Sequence, residues 1–121
     1  MARFEINGKE YELKLNLDGV QYLNDLYEGG SFEVIGKAIM GDLNTFPHLI
    51  HAALFHTGEN FSLKDVKKAI DDAIQNEKLD LDSVIKLSNE IVTKSFFYKK
   101  TVEKLLKKDE RAKEALKILL E

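Results

Sequence analysis

The first sixteen residues alternate and the rest recur at threes and fours. In FEINGKEYELKLN, residues 4–16, the apolar side chains Phe4, Ile6, Tyr11 and Leu13 fall on one face. Arg3, Glu5, Glu10, Glu12 and Lys14 fall on the other. Period-two alternation around Asn7-Gly8 predicts a hairpin, because a two-residue type I′ turn needs positive φ at both central positions. Pairing across that turn sets Ile6 against Lys9, Phe4 against Tyr11 and Ala2 against Leu13. A lone hairpin is marginal in water, so its apolar face must be covered by something.

The remainder predicts helices. Asp18 is placed to cap the first, with Gln21 three residues on, and Gly29-Gly30 to end it. Ser31 is placed to cap a short helix from Phe32 to Met40, stopped by Gly41. Asn44 or Thr45 opens a third, with Pro47 in its first turn, where a missing N–H does no harm. Its sequence, FPHLIHAALF, is apolar nearly all round, the mark of a central buried helix. Ser62 caps a fourth with Asp65 at N3, and Leu63, Val66, Ile70 and Ile74 form its stripe. Asp80 or Asp82 opens a long helix predicted to run to about Lys107, carrying Val84, Leu87, Ile91, Tyr98, Val102 and Leu105. A last helix is expected over 109–121. The fold class is therefore mainly α: a single domain with a two-stranded hairpin over 1–16, a helical bundle over 17–108 and a C-terminal helix over 109–121, five or six helices in all.

Composition narrows the chemistry. The 121 residues include no cysteine, which removes disulfides and thiolate nucleophiles and fits a reducing cytoplasm. The opening, MARFEINGKE, is charged where a signal peptide or membrane span would be apolar, so neither is expected. Residues 1–61 hold 4 basic and 9 acidic side chains, whereas 62–121 hold 14 and 12. Opposite signs suit head-to-tail association of identical chains, though two ordinary solvated surfaces explain them as well.

No catalytic set assembles. His48, His51 and His56 lie in or near one helix, but the nearest acidic residues, Asp42 and Glu59, flank its ends, and HExxH is absent. Histidines at the edge of a buried helix are the expectation. Asp71, Asp72, Glu77, Asp80 and Asp82 lack the glycine and terminal glutamate of a calcium loop and read as caps and a solvated turn. No enzyme activity and no cofactor or metal is expected. The run KSFFYKKTVEKLLKK, 94–108, holds 6 lysines against Glu103 and interleaves Phe96, Phe97 and Tyr98. Aromatics among lysines can stack on bases, but Asp65, Asp71 and Asp72 spoil the helix 63–76 as a basic recognition helix. Nucleic acid is not the expected partner. A partner or self-association surface is expected instead, built on Phe96, Phe97, Tyr98, Lys99 and Lys100, with Leu116, Leu119 and Leu120 near the chain end.

Three stretches carry a family likeness: FEINGKEYELKLNLDGVQYLNDLYEGGSFEVIGKAIMGD, FPHLIHAALFHTGENFSLKDVKKAIDDAI and IVTKSFFYKKTVEKLL. Together they resemble the tail assembly chaperones of long-tailed phages, in the branch carried by siphophages and prophages of Gram-positive bacteria. The resemblance implies a non-enzymatic morphogenesis factor that acts in the host cytoplasm and is absent from the mature virion. It implies binding to the tape measure protein and recruitment of tail tube protein, in some members through a frameshifted long form. A chain ending soon after KILLE reads as the short form. A different small helical prophage adaptor, or a DNA-binding regulator, is the alternative.

Overall fold

The computed structural model describes residues 2–108; the expected helix over 109–121 lies outside them. Strands β1 (Arg3–Ile6) and β2 (Lys9–Glu12) pair antiparallel, with Phe4 opposite Tyr11 and Glu5 opposite Glu10. The turn has φ of 53° at Asn7 and 81° at Gly8, the positive values its type demands. Helices follow as α1 (Leu17–Asn24), α2 (Gly30–Ile39), α3 (Phe46–Ala53), α4 (Leu63–Gln75), α5 (Leu81–Thr93) and α6 (Phe96–Lys108). A single 3₁₀ turn, Phe55–Thr57, extends α3. The fold is mainly α, with six helices among the described residues.

The bundle is built around α3. Phe46, Leu49, Ile50, Ala52 and Ala53 are all buried, and the helix touches α1, α4 and α5. The hairpin lies against this bundle by its apolar face: Ala2, Phe4, Ile6 and Leu13 are core residues, and the Tyr11 ring meets Phe61 edge-on at 5.3 Å. Its edge is tied as well. The backbone N–H of Lys14 donates to the Ala53 carbonyl at 3.0 Å, and His56 Nε2 donates to the Glu12 carbonyl at 2.7 Å. The bundle of its own chain thus completes the ribbon. Glu5 and Glu10, which repel across the strands, each find a cation: Lys78 at 3.3 Å and Arg3 at 3.4 Å.

The helix starts show which polar residues win. Ser62 and Asp65 form the expected capping box, each accepting from the other's backbone N–H at 3.0 Å. These bonds to Ser62 hold the Asp65 carboxyl below the usual carboxylate range. Asp80, and not Asp82, caps α5 by accepting from Ser83 N–H at 2.8 Å. The cap of α1 is Asn16 in place of the expected Asp18. Asn16 has the extended backbone a cap needs, while Asp18 lies within the first turn and adds favourable charge there. That helix also stops earlier than expected, at Asn24, and the Asn24 side chain accepts from both the N–H and the hydroxyl of Ser31. Ser31 is therefore occupied as a donor and does not cap α2.

The expected long helix over 80–107 is two helices. Lys94 N–H still closes onto Glu90, but Tyr98 and Lys99 N–H both turn to the Ser95 carbonyl, which starts α6 afresh. Just before the break, the Thr93 hydroxyl donates to the Asn89 carbonyl, a back-bond that bends helices. The corner lets Tyr98 and Val102 enter the core, where α6 packs on α5 and α2.

Candidate binding groove

The α5–α6 corner, the start of α1 and the end of the hairpin enclose an open groove of about 610 Å³. Its floor is apolar, from Ala2, Leu13, Leu15, Val20 and Ile91, and Leu17, Phe96 and Phe97 stand at its margin. A second hollow of about 490 Å³ adjoins it, sharing Leu17, Val20 and Phe97. Two carboxylates, Glu12 and Glu90, and two ammonium groups, Lys14 and Lys94, line the larger hollow. Leu17 is 67% exposed, Phe97 66% and Phe96 94%, so three large apolar side chains meet water at one place. Exposure concentrated like this marks an interaction surface more often than scattered single residues do.

The surface expected from the sequence is divided by the structure. Phe96 and Phe97 are on the groove margin, and Lys99 and Lys100 are exposed on α6. Tyr98 is a correction: at 1% exposed it belongs to the core, because the helix corner turns it inward. Burial raises its phenol pKa, against a smaller opposing effect of the Ser31 side chain. Leu116, Leu119 and Leu120 lie outside the described residues. Ala2, Leu13, Leu17 and Ile91, which complete the groove, were not singled out by sequence. They come from three distant stretches, and only the exposed Leu17 beside the Asn16 cap offered a signal.

The histidines act as ties. His48 Nδ1 and the Tyr22 hydroxyl meet at 2.6 Å, linking α3 to α1. His51 Nε2 donates to the Phe61 carbonyl at 3.0 Å, ahead of α4, and His56 holds β2 as above. Tyr22 packs on His48, His51 and Phe55 with ring centroids 5.3–5.7 Å apart. Among the described residues no three His, Cys, Asp or Glu side chains gather as a metal site. Burial, then Lys67 and His51, lower the pKa of His48. A base whose pKa is lower folded than unfolded binds more protons unfolded, so its contribution is whole above the ordinary value of about 6.5 and is lost as pH falls. Thermal unfolding should therefore weaken on acidification below that value, and His48→Gln should flatten this dependence. An unchanged profile in the variant would refute the assignment to His48.

Among the described residues no helix is long and apolar enough to cross a membrane. What fold and groove define is a small helical domain that carries an N-terminal hairpin and an open apolar surface. The family model for the phage tail assembly chaperone protein, TAC, matches residues 3–107, and the chain belongs to that family. No curated protein and no solved structure matches it. Membership makes the chain a tail assembly chaperone by family, implies tail proteins as partners and suggests a non-enzymatic role.

Proposed function

We propose that this chain binds the tape measure protein of its phage or prophage and helps recruit tail tube subunits to it during morphogenesis. It does so in the host cytoplasm and leaves before the virion is complete. The observation that carries the reading is the groove with Phe96 and Phe97 exposed, on a chain whose family assembles tails. An apolar surface open to water suits a chaperone, which must cover the apolar surface of a client until the tube replaces it. Recruitment of the tube protein would use a frameshifted long form.

Co-expression tests this. Tape measure protein made with this chain should stay soluble and co-elute with it. Tape measure protein made alone should aggregate. Equal solubility in both cases, with no co-elution, would refute the proposal.

A further inference from the structure

We infer that the groove at the α5–α6 corner is the face through which two copies of this chain pair about a two-fold axis, each placing Phe96 in the other's hollow. Phe96 is 94% exposed and stands at the lip of an apolar hollow of about 610 Å³ on the same face. Knob and hole side by side are what an isologous contact requires, because one rotation then fills both hollows at once. Head-to-tail association, which the unequal charges of the two halves suit, would leave each Phe96 to find a different hollow elsewhere on its neighbour.

The charges agree with pairing. Glu12 and Lys14 come from the hairpin side of the groove, Glu90 and Lys94 from α5. A lining with two groups of each sign is its own complement: one copy's carboxylates can meet the other's ammonium groups. A polyanion such as nucleic acid would meet as many carboxylates as lysines there. Leu17 and Phe97, exposed beside Phe96, supply the rest of the apolar area that pairing would withdraw from water.

Light scattering of the purified chain over a wide concentration range, at low and high salt, tests the pairing. The mass should rise from one chain to two and stop. Phe96→Ser should keep the melting temperature, since the side chain is already in water, and weaken pairing by about thirtyfold, as loss of an interface anchor does. Phe32→Ser should change nothing, because Phe32 is equally an exposed phenylalanine but lines neither hollow. A strict monomer, growth past two chains, or pairing indifferent to Phe96→Ser would each overturn the inference. So would a monomer that binds tape measure protein through Phe96, which would assign the groove to the client. The mass is read on this chain alone, so failure of pairing leaves the client-binding proposal standing.

Discussion

Gly41→Ala should destabilise the fold by about 2–5 kcal/mol, the sum of left-handed backbone strain and overpacking. Gly41 follows α2 with φ of 70°, a region that L side chains rarely adopt. A Cβ there would overlap Ile85 Cγ1, with Ile85 Cβ and Cα also within 3.4 Å. These atoms sit next to the α5 backbone, so the isoleucine cannot swing aside. The two costs separate in a double-mutant cycle with Ile85→Ala. Truncation of Ile85 should recover the packing part of the loss and leave the strain, so the effects will not add. Urea unfolding reads both. A Gly41→Ala loss under about half a kcal/mol would show that the turn relaxes freely.

The second large effect is expected at the hairpin. Phe4→Ala should cost about 3–5 kcal/mol and Leu13→Ala about 2–5, the usual range for truncating core side chains of these sizes. Both are core residues, under a tenth exposed, and both belong to the one continuous cluster that also holds Leu49 and Val66. The comparison is Glu10→Ala on the wet face, where loss of an exposed pair with Arg3 should change stability by less than about 1 kcal/mol. If Phe4 and Leu13 both fall within that small range, the hairpin is a separate appendage and the core does not include it.

The hairpin and most helix starts were legible because their signals are local. Asn7-Gly8 sets its own turn, and Ser62 with Asp65 closes its own box. The third helix was legible because it is apolar all round and can only be buried. Where two polar residues competed for one role, the sequence was ambiguous. Asn16 and Asp18 both suit a cap, and the choice rests on which backbone is extended, which neighbouring elements decide. The split between α5 and α6 escaped for a related reason. No glycine or proline marks it, and the seven-residue step from Ile91 to Tyr98 keeps the stripe nearly in line on a straight helix. Only the polar pair Lys94-Ser95, where the next apolar residue was due, hinted at a corner. Missing the corner placed Tyr98 on the surface with its neighbours. The groove was less legible still. Phe96 and Phe97 were visible as unusual aromatics, but a hollow between residues 2, 13, 17 and 91 exists only once the chain has folded.

The ties of the hairpin also bear on the order in which the chain matures. A ribosome releases residues 2–14 first, yet the groups that fix them come much later: the Ala53 carbonyl, His56, Phe61, Val66 and Lys78. Until about α4 has emerged, the first-made segment has a sticky face and nothing to lay it on. Its closure is a contact between distant parts of the chain, and such contacts form slowly because the intervening loop must be ordered first. Asn7-Gly8 lets the ribbon bend early, but docking must wait. The groove shares that ribbon as a wall, through Ala2, Glu12, Leu13 and Lys14, so it cannot exist on a nascent or truncated chain. The binding surface is thereby a late product of synthesis, open only on copies whose first residues have already met the middle of the chain.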